Sequence, residues 1–153
     1  MPALRRTVAV GWLVAFTLAP GCATAEQAKA PVQQNLKAGL NAMQADDYDA
    51  AVIQLERAIV ADPKNPDSYT ALGQSHRQLG NSQKALKYSR IALEIEPSHL
   101  SALQLQGQAQ LDVGELAAAE DTLERLGRRC DRICAEYEQL SRAVTDYKAR
   151  QTN

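Results

Sequence analysis

A chain of 153 residues has room for one domain of ordinary size. Its 23% charged and 45% apolar residues suit a globular protein, and a formal net charge of −1 carries no basic excess that would select nucleic acid as a partner. Aromatic residues are scarce at 5% while Ala, Leu, Gln and Glu abound, a balance that favours helix over strand.

The first element is an address. Arg5 and Arg6 precede Val8–Leu18, an uncharged apolar run of eleven residues. Pro20 breaks that run, and Ala23-Thr24-Ala25 supplies a small-x-small cleavage pattern. The run is short for a permanent bilayer span. The pattern predicts a cleaved export signal over residues 1–25, a linker at 26–31 and a periplasmic mature chain with no inserted segment. A second cut stays open. Ala19-Pro20-Gly21-Cys22 resembles a bacterial lipoprotein box, which would make residues 1–21 the signal and Cys22 a lipidated, membrane-anchored N-terminus. Loss of Arg5 and Arg6 shifts the formal charge from −1 to about −3. Under either cut Cys130 and Cys134 are the remaining free thiols, an even number suited to an oxidising compartment.

Next comes an internal period. Pro63 and Pro97 close similar segments 34 residues apart, which divides the chain into windows 32–65, 66–99 and 100–133. The middle window reads PDSYTALGQSHRQLGNSQKALKYSRIALEIEPSH. Tyr69, Leu72-Gly73, Gly80, Ala85, Ala92 and Pro97 fall at the places that mark the tetratricopeptide repeat, and the window resembles that helix–turn–helix unit. In the first window Ala38-Gly39, Tyr48, Ala51, Leu55, Ala58 and Pro63 occupy equivalent places. The third keeps Gly107, Gly114, Ala119 and Leu123. It has Asp131 where the exit proline stands elsewhere, and it lacks an aromatic at Leu103. The resemblance implies an all-α, right-handed superhelical solenoid of three repeats plus a C-terminal capping helix at 134–150. That helix is legible by itself: Ile133, Tyr137, Leu140, Val144 and Tyr147 trace one helical stripe, with Glu138, Gln139, Arg142, Asp146 and Arg150 opposite.

Between the third repeat and the cap lie Cys130 and Cys134. Residues four apart on an unbroken helix keep their Cβ atoms about 5–6 Å apart. A disulfide requires about 3.5–4.5 Å, so a bond requires the helix to stop. Gly127 suits a helix end and Asp131 an N-cap, which places Cys130 in a turn and Cys134 in the next helix. Three uses stay open: a structural staple, a redox pair with thiols tuned by Arg128, Arg129 and Arg132, or a metal-handling pair. Two thiolates alone complete no ordinary metal site, so no metal is assigned. The tail Leu126, Cys130, Cys134, Glu136-Tyr137, Leu140 and Tyr147 resembles that of small exported bacterial tetratricopeptide proteins with a Cys-x-x-x-Cys turn.

No phosphate loop, serine elbow or zinc pattern appears, so neither catalysis nor a cofactor is expected. His76 reads as a packing residue, His99 as a solvated turn residue, and Asp46, Asp47 and Asp49 as capping groups. The repeat resemblance implies a concave groove for a protein or peptide partner, lined by the first helix of each unit. Its positions are Gln33, Leu36, Lys37, Leu40, Met43 and Gln44; then Asp67, Thr70, Ala71, Gln74, Arg77 and Gln78; then Ser101, Gln104, Leu105, Gln108, Leu111 and Asp112. Places that clamp a terminal carboxylate in some repeat proteins hold Leu36, Leu40, Ala71, Ser101 and Leu105 here, so that clamp is not expected. The expected role is a scaffold or assembly factor in the cell envelope. The alternative is a thiol–disulfide or metal-handling accessory acting through Cys130 and Cys134.

Overall fold

A computed structural model describes residues 25–152. Among the described residues there are seven helices and no strand. They are α1 (Ala25–Gln44), α2 (Tyr48–Ala61), α3 (Pro66–Gln78), α4 (Ser82–Ile95), α5 (Leu100–Asp112), α6 (Leu116–Arg129) and α7 (Ala135–Gln151). The signal expected over 1–25 lies outside this range except for Ala25, as does Cys22. α1 runs through the stretch read as a linker, where Ala-Glu-Gln-Ala-Lys-Ala is rich in strong helix formers. No described helix is long and apolar enough to cross a membrane.

The helices pair as hairpins α1/α2, α3/α4 and α5/α6, and α7 packs on the last. Contacts of α1 with α3, α3 with α5 and α5 with α7 make the odd helices one layer of an all-α solenoid. Each hairpin turn repeats the same geometry. Asp46, Gly80 and Gly114 take φ of 56°, 78° and 83°, the left-handed region that glycine enters most cheaply. The following amide then reaches back to the carbonyl of Ala42, His76 or Gln110 at 2.8–2.9 Å. This satisfies an otherwise orphaned helix-end carbonyl. Asp47 caps α2 by accepting from the Ala50 amide at 3.0 Å. Between hairpins, Asp62 and Glu96 leave the helix in extended backbone, as residues before proline do. Asn65 and His99 then cap the next helix.

Packing holds the stack. A Cβ built on Gly39 would lie 2.6 Å from Leu55, on Gly73 2.7 Å from Leu105, and on Gly107 2.5 Å from Leu140. All three leucines are fully buried. Helices therefore meet at contacts that a methyl group would prop apart. Val144 is buried beside Leu140, with Tyr137 and Tyr147 packed at the cluster's edge. Ile133, the expected first member of that stripe, is instead 88% exposed because it precedes α7 rather than belonging to it.

The Cys130–Cys134 turn departs from the other two. Cys130 ends α6 where Asp62 and Glu96 end α2 and α4, but Cys134, not Asp131, is the N-cap of α7. This makes the connection one residue longer than its counterparts. Asp131 and Arg132 absorb the extra length in left-handed conformations, φ 51° and 61°. A disulfide joins the two cysteines across a Cα separation of 5.8 Å. Gly127 is not the helix end expected from its residue type, since α6 continues to Arg129. Gly127 instead lies under the Tyr137 ring, where a Cβ would stand 2.9 Å from Cε2.

Two outcomes follow. Gly107→Ala is expected to lower unfolding stability by about 1–3 kcal/mol in urea titrations. In a Leu140→Ala background the same change should cost less than about 1 kcal/mol, because the colliding leucine is gone. Replacing Cys130 and Cys134 together by serine is expected to remove about 2 kcal/mol, the loop-closure value for a five-residue ring. Native circular dichroism should be retained.

Candidate functional site

The odd helices enclose two recesses that share Arg77 and Gln108. The first, about 300 Å³, is lined by Met43 of α1, Tyr48, the glutamines Gln74, Gln78, Gln104 and Gln108, and Gln139 of α7. The second, about 330 Å³, adds Leu111, Asp112, Ala143, Asp146, Tyr147 and Arg150. Register explains this convergence. Gln74 and Gln108 are separated by one repeat period, so α3 and α5 present them at the same height. The longer Cys130–Cys134 turn shifts α7 by one residue. Gln104 therefore meets Gln139 thirty-five residues on, with its amide donating at 2.7 Å.

Charge inside the groove is largely neutralised from within. Arg77 donates through Nε to Asp112 Oδ2 at 2.6 Å and through Nη2 to Oδ1 at 3.3 Å. Its Nη1 reaches Gln108 Oε1 at 3.3 Å, and Ser82 donates to the same aspartate at 3.2 Å. A two-pronged pair of this kind is well fixed in direction. It spans two repeats and leaves Arg77 poorly placed to receive a second carboxylate. The glutamine amides, each both donor and acceptor, remain the main polar presentation.

The expected positions divide in four. Met43, Gln74, Arg77, Gln78, Gln104, Gln108, Leu111 and Asp112 line the recesses. Gln33, Leu36, Lys37, Leu40 and Gln44 lie along α1 outside them. Leu36 packs beside the first core cluster, and Leu40 is 41% exposed. Thr70, Ala71 and Leu105 are buried. Thr70 donates to the Pro66 carbonyl at 2.9 Å, and Leu105 fills the contact at Gly73, so neither presents a free surface. Asp67 and Ser101 are engaged by His99 and Glu136. Sequence reasoning missed Tyr48 and the α7 contribution, having placed Gln139, Asp146 and Arg150 on a merely solvated face. A shift of 35 rather than 34, which superposes Leu105 on Leu140 and Gln104 on Gln139, was the available signal.

Two histidines support the scaffold. His99 is no solvated turn residue. Its Nδ1 accepts from the Ala102 amide at 3.2 Å, so Nε2 carries the proton and donates to Asp67 at 2.9 Å. His76 is buried and stacks on Tyr88 at 5.5 Å between ring centroids. Burial holds its pKa below the ordinary histidine value, Lys84 lowers it further and Glu56 opposes the shift.

The fold and groove define a tetratricopeptide-type solenoid. The family model described as anaphase-promoting complex, cyclosome, subunit 3 matches residues 44–126, just over half of the chain, and the chain belongs to that family. Among full-length relatives, a protein SGT1 homolog of Oryza sativa subsp. japonica is 30% identical over 104 residues, 60% of this chain and 28% of its own length. Superkiller protein 3 of Saccharomyces cerevisiae is 25% identical over 119 residues, 75% of this chain and 8% of its own. The chain thus spans less than a third of either relative's length. The fold is shared with the first repeat domain of Spaghetti bound to an HSP90 peptide, SRMEEVD (TM-score 0.70, 20% identity, 78% of this chain and 94% of that one). It is also shared with the TPR2B domain of yeast Sti1 in its pHsp70 complex (0.73, 17%, 78% and 98%) and the Sgt2 domain of Aspergillus fumigatus (0.72, 18%, 80% and 80%).

The buried imidazole generates a pH dependence. A free histidine titrates near 6.5, and His76 titrates lower in the fold. As pH falls below about 6.5 the unfolded chain takes up a proton first, so stability is lost until the folded imidazole is itself protonated. Thermal melts from pH 8 to pH 5 should show this loss, and His76→Phe, which keeps a ring against Tyr88, should flatten it.

Proposed function

We propose that this protein is a non-catalytic scaffold or assembly factor that binds an extended, internal segment of a protein partner in the groove of α1, α3, α5 and α7. The observation that carries this reading is the run of glutamines 74, 78, 104, 108 and 139 around one recess. Each side-chain amide matches the donor and acceptor of a peptide unit, so the groove is suited to hold main chain with little demand on sequence. Met43 adds an adaptable apolar contact at one end. The Spaghetti domain is bound to an HSP90 peptide and the Sti1 domain is in a pHsp70 complex, which supports peptide capture on this fold. A free C-terminus is not the proposed ligand. The places that would clamp its carboxylate hold Leu36, Leu40, Ala71, Ser101 and Leu105, and Arg77 is already paired with Asp112.

The proposed setting is the bacterial cell envelope. Support comes from Arg5, Arg6, the apolar run Val8–Leu18 and the cleavage pattern at Ala25, together with a disulfide that suits an oxidising compartment. Peptides selected from a displayed library on the purified protein test the groove. Gln74→Ala with Gln108→Ala is expected to weaken the selected peptides by roughly tenfold or more, two hydrogen-bonding amides at about 1 kcal/mol each. Met43→Glu should also weaken them, and amidating the peptide C-terminus should change nothing. Retained affinity in both groove variants would remove the assignment.

A further inference from the structure

A third recess lies outside the groove, between the start of α5 and the end of α6. Its volume is about 450 Å³, larger than either groove recess, and its lining is Pro97, Leu103, Arg125, Arg128 and Arg129. The repeat period shows how it arises. The same five positions one repeat earlier hold Pro63, Tyr69, Ile91, Glu94 and Ile95. There the Tyr69 ring occupies the space, packed against the core, with its hydroxyl donating to the Pro63 carbonyl at 3.3 Å. In the third repeat leucine replaces the ring, and arginine replaces both isoleucines and the glutamate. The ring is lost, the leucine in its place is 1% exposed at the bottom of the recess, and the rim becomes cationic in the same register.

Folding alone gives an incomplete account of these replacements. Arginines three and four residues apart on one helix repel each other. A place in the last turn of α6 favours Arg128 and Arg129 through the helix dipole, but not Arg125, and it does not explain the lost ring. Arg128 is paired with Glu124, and Arg125 reaches Gln106 Oε1 through Nη1 at 3.3 Å. Arg129 is exposed and makes no ion pair among the described residues. Exposed Pro97, over the buried Leu103, gives the recess an apolar side within a rim of three arginines, which suits an aromatic side chain flanked by carboxylates. The ring would lie beside the place that Tyr69 fills in the preceding repeat, and the acids would meet the arginines, whose planar forks match carboxylates.

We infer that this recess is a second docking site, for an acidic linear segment of a partner protein that rests one aromatic side chain against Pro97. The site is independent of the groove, since the two share no residue. The probe is a fluorescein-labelled Gly-Glu-Glu-Phe-Glu-Glu-Gly amide, titrated by anisotropy against the purified protein at low salt. The expected result is saturable binding that weakens with salt. The doubly substituted Arg128→Glu, Arg129→Glu protein is expected to lose roughly tenfold or more in affinity. Leu103→Tyr, which restores the ring of the preceding repeat, should block binding with all three arginines intact. Gln108→Ala in the groove should leave it unchanged. The inference is overturned if the unmodified protein does not bind the peptide, if a peptide with glutamine for glutamate binds equally well, or if the charge-reversed protein keeps its affinity. Arg128 and Arg129 are exposed, so charge reversal carries the test even if Leu103→Tyr disturbs the core.

Discussion

The structure depends on three places where helices approach too closely to admit a side chain. Gly39, Gly73 and Gly107 recur every 34 residues, and each faces a buried leucine: Leu55, Leu105 and Leu140. At Gly39 the contact closes a hairpin. At Gly73 and Gly107 it locks one unit onto the next. Because the approach at Gly73 recurs at Gly107, α3, α5 and α7 remain in one layer and their polar faces line up. The groove is thus a by-product of close packing on the other side of the same helices.

The middle repeat was legible almost entirely, because each of its signals has one physical use. Gly80 supplies a left-handed turn and Pro97 ends a helix. The tail was harder because its signals are ambiguous or silent. Glycine serves both as a helix terminator and as a packing notch, and Gly127 is the second where its position suggested the first. Asp131 and Arg132 adopt left-handed backbone without the glycine or asparagine that would announce it. The residue inserted there hides the kinship of α7 with α5, and with it the contribution of Gln139, Asp146 and Arg150 to the groove. Positional counting found Gln74, Gln104 and Gln108 but swept in Thr70 and Leu105. Adjacent helix positions differ by about 100°, and one step turns a groove residue into a core residue.

The two layers of the solenoid use charge differently. On the groove side, cation and anion meet across repeats in the Arg77–Asp112 pair, and a glutamine on α5 meets another on α7. These links brace neighbouring units and leave amides as the principal polar groups. On the other side, Arg125, Arg128 and Arg129 cluster on the last turns of α6 around a partly apolar hollow. A surface that satisfies itself discriminates weakly by charge, and a concentrated basic rim discriminates strongly.

The polar flank of α7 differs from that of α5 in what it can offer a neighbouring helix. On α5, Gln106 and Gln110 bond to Arg125 and Thr122 of the helix beside them. The corresponding positions on α7, one residue out of step, are Ser141 and the exposed Thr145. Neither reaches across as the glutamines do, and Thr145 Oγ1 instead donates to the Ser141 carbonyl of its own helix at 2.9 Å. Apart from the Gln104–Gln139 pair on the groove side, the last described hairpin is therefore tied to α7 by packing and by the disulfide turn rather than by cross-helix amide bonds of the kind Gln106 and Gln110 make.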